Sequence, residues 1–186
     1  MKRPIITILL FFIIVAFVSG CNDSTRYIVR RLYNSRIDYT SGNSLILKDS
    51  IKTEFSVEQP VKLLTYMDST VCGKCLENYL NAVSVYMNRI HSDSVMYVCV
   101  LQPRSINDIQ IRIKELELNH ISIVYDRHDS FLKKNKIDKI PSEMTSFLLN
   151  KDDRVVLVGN PLKNKKIFDL FNSRIKEFSK NGWKTD

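Results

Sequence analysis

A pair of cysteines two residues apart stands between an apolar strand and a long amphipathic helix, and this arrangement restricts the fold most. The pair is Cys72 and Cys75, in the segment DSTVCGKCLENYL. The preceding run VKLLTYM (61–67), bounded by Pro60 and a polar DST, is typical of a buried strand. After the pair, apolar residues recur at the spacing of one helix face. They are Leu76, Tyr79, Leu80, Val83, Met87 and Ile90.

The remaining chain alternates strands with helices. Further strands are predicted at 94–101, 120–126, 145–150 and 154–159. Further helices are predicted at 106–116, 130–137 and 167–178. Nearer the N-terminus, 27–35 is typical of a weak helix and 44–55 of loose extended segments. The order predicts an α/β fold with a central mixed sheet and helices on both faces. Strands separated by helices should run parallel, and the final hairpin should add antiparallel edge strands.

The N-terminus has the features of an export signal. Lys2 and Arg3 precede an unbroken apolar run over 5–18. Such a run suits a signal-peptide core and is shorter than the roughly 20 residues of a membrane-spanning helix. It ends in VSGC (18–21), which resembles the lipobox of bacterial lipoproteins. That resemblance implies cleavage before Cys21 and lipidation of its sulfur; the alternative is an uncleaved N-terminal anchor.

Three parts of the chain follow from these signals. They are a signal peptide (1–20), a lipidated cysteine with tether and N-terminal extension (21–57), and one domain (58–186). Both interpretations of the N-terminus predict a chain outside the cytoplasm, tethered to the bacterial envelope on its periplasmic face or at the cell surface. Without 1–20 the chain has 26 basic and 20 acidic residues. Its lysines are interleaved with Asp and Asn, which favours a solvated surface over a nucleic-acid interface.

The other cysteine and the histidines narrow the chemistry of the pair. Cys99 lies in the apolar run SVMYVCVL and is predicted to be a small buried side chain rather than a resolving thiol. A single C-x-x-C without closely spaced histidines does not make a zinc site, and c-type haem needs a histidine where this chain has Leu76. An oxidising compartment allows the pair to form a disulfide. We therefore expect neither a metal nor a cofactor.

The order of elements around the pair resembles the thioredoxin fold: strand, C-x-x-C at a helix start, strand and helix, hairpin, and C-terminal helix. The segment 121–159 is similar to the second half of membrane-anchored thioredoxin-like proteins of the TlpA type. Those carry an inserted strand and helix, then isoleucine-proline, then the hairpin. The resemblance covers about residues 58–180. It implies a thiol–disulfide oxidoreductase whose partners are protein thiols or disulfides or a redox partner.

The site residues follow from the helix start and from the resemblance. Cys72 is the expected nucleophile, because free N–H groups and the helix dipole favour a negative charge there, and Cys75 is the expected resolving thiol. Lys74 adds a cation and is expected to tune the redox poise. Pro141, after Ile140, resembles the family's cis-proline opposite the C-x-x-C. Aligning TSF with the family instead puts Met144 at that position.

The chain also departs from the family pattern. Thioredoxins usually have Trp where this chain has Val71, proline where it has Lys74, and a buried acid where it has Tyr66. Asp68 and Glu77 are candidate replacements for that acid, although both are also typical of surface carboxylates. These departures leave two other functions open. One is a redox-silent binding or scaffold protein, and the other is a copper chaperone that uses the cysteines with a histidine such as His120 or His128.

Overall fold

The structure is a computed structural model, and it describes residues 23–181 apart from 48, 71, 91, 103–104, 129, 139 and 142–143. The predicted signal peptide and Cys21 therefore lie outside the described residues. The chain divides into two compact units, the second beginning at Asn34. The described part of the first unit, 23–33, holds helix α1 (Asp23–Leu32), close to the weak helix predicted at 27–35.

The second unit contains a mixed sheet of seven strands. The strands are β1 (Ser44–Ile46), β2 (Ile51–Lys52), β3 (Val61–Met67), β4 (Val95–Leu101), β5 (Ile121–Tyr125), β6 (Ser146–Leu149) and β7 (Val155–Val158). Its described helices are α2 (Gly73–Ile90), α3 (Ile106–Ile113), α4 (Phe131–Lys134) and α5 (Lys165–Lys180). The sheet order is β2-β1-β5-β4-β3-β6-β7. Strands β3, β4 and β5 are parallel, and every other pairing is antiparallel. The predicted mixed sheet is confirmed.

The two ends of the sheet refine the sequence prediction. Strand β6 of the hairpin pairs with β3 as well as with β7, so β7 is the edge strand of the hairpin and β6 is an inner strand. At the other end, the segment predicted as loosely extended forms β1 and β2, and β1 pairs with β5. Residues 34–57, assigned from the sequence to an N-terminal extension, thus contribute two strands to the sheet of this unit.

Helices cover both faces of the sheet, as predicted. Alternate residues of β3 point to opposite faces. Val61 and Leu63 join one apolar core with residues of α2, α3 and α5. On the other face, Tyr66 stacks on Phe131 of α4 with ring centroids 5.3 Å apart. The strand β3 is buried on both faces, which explains its nearly continuous apolar sequence. No helix within the described residues is both long and apolar enough to span a membrane.

Candidate active site

The cysteine pair lies where the parallel strands of the sheet have their carboxyl ends, and several chain segments converge there. Because β3, β4 and β5 are parallel, their carboxyl ends lie on the same side of the sheet, and Cys72 follows β3 after a short turn. The antiparallel β6 begins beside the carboxyl end of β3, where Ser146 pairs with Thr65 and the Tyr66 N–H donates to Thr145 O at 3.1 Å. Because Pro141 shortly precedes β6, it comes before a strand that begins on the same side of the sheet as the cysteine pair.

The two cysteines form a disulfide across the first turn of α2. Their Cα atoms are 5.1 Å apart, and both residues are exposed. Cys72 immediately precedes the helix, and its carbonyl accepts from the N–H of Leu76 at 2.9 Å. The N–H of Cys75 points at Cys72 Sγ with an N–S distance of 3.0 Å. Cys72 thus occupies the N-cap position, where a negatively charged sulfur would accept a hydrogen bond from the helix backbone.

Four charged side chains form a chain of ion pairs beside the disulfide. Lys74, with 70% of its side chain exposed, pairs with Glu77 at 3.0 Å. The other Glu77 oxygen lies 3.8 Å from Nη1 of Arg112 on α3. Arg112 Nε donates to both carboxylate oxygens of Asp108 at 3.1 Å. The expected tuning residue Lys74 therefore shares its counter-ion with a second cation, which the sequence analysis does not identify.

The guanidinium of Arg112 packs directly on Gly73, the residue between the two site positions Cys72 and Lys74. A Cβ built on Gly73 would lie 2.8 Å from Nη2 of Arg112 and closer still to Nε and Cζ. That is inside van der Waals contact, so a side chain at this position would displace the Arg112 guanidinium from the start of α2. Gly73 thus leaves room for the guanidinium.

A cluster of buried hydroxyl groups lies beneath the start of α2. Tyr79, one helical turn after Cys75, shares a 2.5 Å hydrogen bond with the hydroxyl of Tyr97 on β4. Thr65 Oγ1 lies 2.7 Å from the same Tyr97 oxygen and donates to Ser146 Oγ at 2.9 Å. Burial raises the pKa of Tyr79 and of Tyr97, so both phenols stay protonated near neutral pH. The cluster is thus a neutral, polar layer.

The residue at the position where thioredoxins have a buried acid, Tyr66, points away from this hydroxyl layer. Tyr66 stacks on Phe131 on the opposite face of the sheet, and Thr65 is the residue that enters the hydroxyl cluster. Asp68 is exposed and accepts from the N–H of Thr70 at 2.9 Å, which is a local turn contact. Glu77 is held in surface ion pairs. Both candidate acids are therefore surface carboxylates.

Comparison with known proteins supports one fold. No protein-family model matches the sequence, and no similar curated protein was found. Among solved structures, a candidate thiol-disulfide oxidoreductase from Bacteroides vulgatus is similar with a TM-score of 0.54 and 14% identity, over 76% of this chain and 96% of that one. A candidate thiol:disulfide interchange protein DsbE from Chlorobium tepidum has a TM-score of 0.51 and 15% identity, over 75% of this chain and 99% of that one. An uncharacterised thioredoxin-like protein from Porphyromonas gingivalis has a TM-score of 0.52 and 14% identity, over 81% of this chain and 95% of that one.

The chain has a thioredoxin-like fold. At these identities the comparisons establish the fold alone, and the seven-stranded sheet with a C-x-x-C at the start of α2 agrees with it. The expectation drawn from the sequence resemblance is confirmed at the level of architecture. The roles of individual residues depend on the geometry of this chain.

The proline segment of the thioredoxin-like fold is only partly described. Pro141 is exposed, and its carbonyl accepts from the N–H of Met144 at 2.9 Å. No cis peptide bond occurs among the described residues, which include Ile140 and Pro141 but not 142–143. The peptide bond before Met144 lies outside them. A redox-tuning role for Pro141 stays a prediction.

Cys99, His120 and His128 take no part in the site as the structure describes it. Cys99 is fully buried in β4, as predicted, with Sγ 3.8 Å from the sulfur of Met67, and burial raises its pKa to about 12. His120 lies 3.4 Å from an Asp93 carboxylate oxygen, and His128 is exposed. The described residues contain no group of three His, Cys, Asp or Glu side chains that could hold a metal. No observation favours the copper alternative.

Two parts of the site were missed by sequence reasoning. The sequence pattern identifies Tyr79 and Tyr97 only as apolar residues, although the four-residue step from Cys75 to Tyr79 does place Tyr79 on the face beneath the pair. Arg112 carries no local signal, because its contact with Gly73 joins residues 39 positions apart in the sequence.

Proposed function

We propose that the chain is a thiol–disulfide oxidoreductase whose reactive pair is Cys72 and Cys75. The observation that carries the proposal is the exposed disulfide at the N-terminus of α2, with the Cys75 N–H directed at Cys72 Sγ. A thiolate at Cys72 would be stabilised by this N–H and by the helix dipole, and it would be open to a partner protein. A two-residue loop between cysteines also adds little stability as a staple.

The exchange proceeds in two steps. In the reduced protein the Cys72 thiolate attacks a substrate disulfide, the substrate S–S bond breaks, and one substrate sulfur leaves as a thiolate. Cys75 then loses its proton and attacks Cys72 Sγ, which breaks the mixed disulfide and releases the second substrate sulfur. Two electrons pass from the pair to the substrate, and the Cys72–Cys75 disulfide forms. The same steps in reverse oxidise a substrate dithiol.

The proposed location is the bacterial envelope, outside the cytoplasm, with Cys21 as the lipid anchor. The support is the export signal and the VSGC tetrapeptide in the sequence. Oxidising surroundings would also allow the pair to cycle. Mass spectrometry of the N-terminal peptide from the membrane fraction should detect acylated Cys21, and Cys21→Ala should release the chain from that fraction. Unmodified Met1 on a membrane-bound chain would contradict lipidation.

The first test of the redox proposal is equilibration in glutathione buffers of defined potential, with free thiols counted by mass after alkylation. We expect the pair to change state within the range of known thiol oxidoreductases, about −120 to −270 mV. A pair that stays oxidised below about −300 mV would be a structural disulfide, and the redox-silent scaffold would then be the correct interpretation.

The second test assigns the roles of the three cysteines. Alkylation of the reduced native protein near neutral pH should label Cys72 first, whereas Cys99 should react only after unfolding. In cells, Cys75→Ala should accumulate mixed disulfides through Cys72, and Cys72→Ala should accumulate none. Cys99→Ala is the matched control and should behave as the parent. Faster labelling of Cys75 than of Cys72 would reverse the assignment.

A further inference from the structure

We propose that Arg112 is the positioning residue that stabilises the Cys72 thiolate, with the acidic side chains of Asp108 and Glu77 setting the strength of its charge. The proposal deepens the function proposed above and rests on it. It assigns to α3, a helix that contributes no cysteine, control over the chemistry of the first turn of α2.

The contact between Arg112 and Gly73 is the first observation. The guanidinium lies so close to Gly73 that a Cβ there would push it from its place. Gly73 follows Cys72 directly, and neighbouring Cα atoms in a chain are about 3.8 Å apart. The positive charge is therefore held beside the residue whose sulfur becomes negative on reduction. A planar guanidinium suits this packing, because it can lie flat on a backbone without a side chain.

The contrast with Lys74 is the second observation. The Lys74 side chain is 70% exposed and the Arg112 side chain 32% exposed. An exposed ammonium group on a flexible stem is strongly screened by water and salt. Arg112 is fixed at both ends, by α3 and by two hydrogen bonds from Nε to Asp108. A fixed, less exposed cation has the larger effect on a nearby thiolate.

The two carboxylates are the third observation, since they make the effect adjustable. Asp108 faces Arg112 from α3 at 3.1 Å, and Glu77 faces it from α2 at 3.8 Å. Each carboxylate offsets part of the guanidinium charge. Among the described residues, the turn before Cys72 and the first turn of α2 also carry the exposed Asp68 and Lys74, which pairs with Glu77. Removing an acid should therefore strengthen the action of Arg112, and removing Arg112 should abolish it.

The electron balance gives the sign. Reduction of the disulfide by a dithiol brings two electrons to the pair and leaves Cys72 as a thiolate while Cys75 takes a proton. A cation beside Cys72 stabilises this reduced state and has no charge to pair with in the disulfide. Arg112 therefore lowers the pKa of Cys72 and makes the disulfide more oxidising.

The experiment compares Arg112→Gln with Lys114→Gln in the full chain. The variant Lys114→Gln removes the same charge as Arg112→Gln, but just after the end of α3, where Lys114 pairs with Asp49 at 3.4 Å. Two quantities are measured: the pH profile of Cys72 alkylation in the reduced protein, and the equilibrium constant against glutathione. Arg112→Gln should raise the apparent pKa of Cys72 and shift the equilibrium toward the disulfide by about two- to fivefold, the scale of one charge at a helix terminus. Lys114→Gln should change neither.

The variant Asp108→Asn supplies a test of opposite sign. It leaves Arg112 in place but removes one counter-charge, so Cys72 should become more acidic and the disulfide more oxidising. Arg112→Lys should restore only part of the parent behaviour, because an ammonium group on a flexible stem is held less firmly than the guanidinium. A general loss of packing would not move Arg112→Gln and Asp108→Asn in opposite directions.

The outcomes separate this inference from the proposed function. If the parent pair exchanges with glutathione and Arg112→Gln matches Lys114→Gln in both measurements, the inference about Arg112 is overturned and the oxidoreductase proposal stands. If the parent pair never exchanges, the proposed function fails. The alkylation profile then still decides whether Arg112 stabilises the Cys72 thiolate.

Discussion

Charged side chains meet in two regions of the second unit, exposed in one and largely buried in the other. The disulfide rim consists of Cys72, Cys75 and the ion pairs of Lys74, Glu77, Asp108 and Arg112, whose side chains are 29–70% exposed. The buried ion-pair region lies on the face of the sheet turned away from α2. There Lys62, 4% exposed, pairs with Asp153 at 3.0 Å. Exposed pairs contribute little to stability, whereas breaking a buried pair is costly. The ion pairs of the rim are thus suited to tuning the redox properties of the cysteine pair, and the buried ion pair is suited to stabilising the fold.

The buried region fixes the segment that precedes β1. The Tyr39 hydroxyl donates to Asp153 at 3.3 Å, and burial together with Asp153 raises the pKa of Tyr39. Next to it, Asp38 accepts from the N–H of Ser41 and pairs with Lys134 of α4 at 2.8 Å. These contacts connect the chain before β1 to α4 and to the final hairpin.

The largest effect should come from Asp153→Asn. It leaves the Lys62 ammonium buried without a counter-charge and should lower the free energy of unfolding by about 3 kcal/mol, as for other broken buried pairs. Asn tolerates the positive φ of 59° at this position, so the backbone should persist. Urea denaturation of Asp153→Asn and of the exposed control Asp152→Asn measures the difference. Equal stability in the two variants would mean that Lys62 is solvated, and the distinction between the two regions would then fail.

A smaller loss of stability is expected from Tyr97→Phe in the hydroxyl layer. The change leaves Thr65 and Tyr79 without their short contacts in a buried place, at a cost of about 1–2 kcal/mol. Tyr125→Phe is the control, because the Tyr125 hydroxyl forms no hydrogen bond within the described part of the chain. The glutathione equilibrium should stay at the parent value, since the layer is neutral near pH 7. A pH-dependent shift of the potential in Tyr97→Phe would instead indicate proton exchange with the pair.

Asp38 should make part of the stability dependent on acid. Partial burial opposes its ionisation, but hydrogen bonds from Lys134 and Ser41 outweigh this and lower the pKa of Asp38 to about 2. In the unfolded chain an aspartate titrates near 3.9. The stabilisation is therefore complete above about pH 4 and is lost as the pH falls through about 2.

The variant Asp38→Asn should remove this acid-dependent part. The carboxylate is 37% exposed, so screening reduces the expected loss at pH 7 to about 1 kcal/mol. Thermal unfolding from pH 5 down to pH 2 should show a flatter slope in Asp38→Asn than in the parent. The exposed carboxylate variant Asp49→Asn should keep the parent slope. Parallel slopes for all three proteins would argue against the shifted pKa.

The smallest effect is expected from Lys74→Glu on the rim. Stability should change by less than about 0.5 kcal/mol, as is usual at the surface. The redox potential should move in the reducing direction by about 5–10 mV, because Lys74 is 70% exposed and a weak helix-terminus interaction of about 0.3 kcal/mol has that size. High salt should shrink the shift. A larger shift than that of Arg112→Gln would make Lys74 the main tuning residue.

Local pattern was sufficient to predict most of the fold. The apolar run after Pro60 predicts β3 with the bounds that the structure has, and the apolar spacing after Cys75 runs to Ile90, where α2 ends. Both signals arise because a buried strand and an amphipathic helix repeat their apolar residues at fixed periods. The pairing of β1 with β5 has no such signal. Its three residues show no period, and its partner lies about 80 positions away.

The site was predictable in its covalent part and not in its surroundings. The spacing of Cys72 and Cys75 is written in the sequence, and so is their place before a helix. The residue beneath the pair depends on which face of β3 each side chain takes, and here Thr65 rather than Tyr66 faces α2. The contact of Arg112 with Gly73 depends on how α3 packs against α2. Tertiary packing decides both, and a single sequence carries no local record of it.

The chain before β3 closes the sheet at both ends. At one end β1 covers β5, and the outermost strand β2 is only two residues long and ends in Lys52. At the other, residues 34–36 hydrogen-bond along β7, with Asn34 N–H donating to Val155 O at 2.8 Å. Short, charged or covered edges prevent strands of separate molecules from pairing. A fragment beginning at 58 would expose unpaired backbone on both β5 and β7, so removal of one continuous segment would open two opposite routes to aggregation.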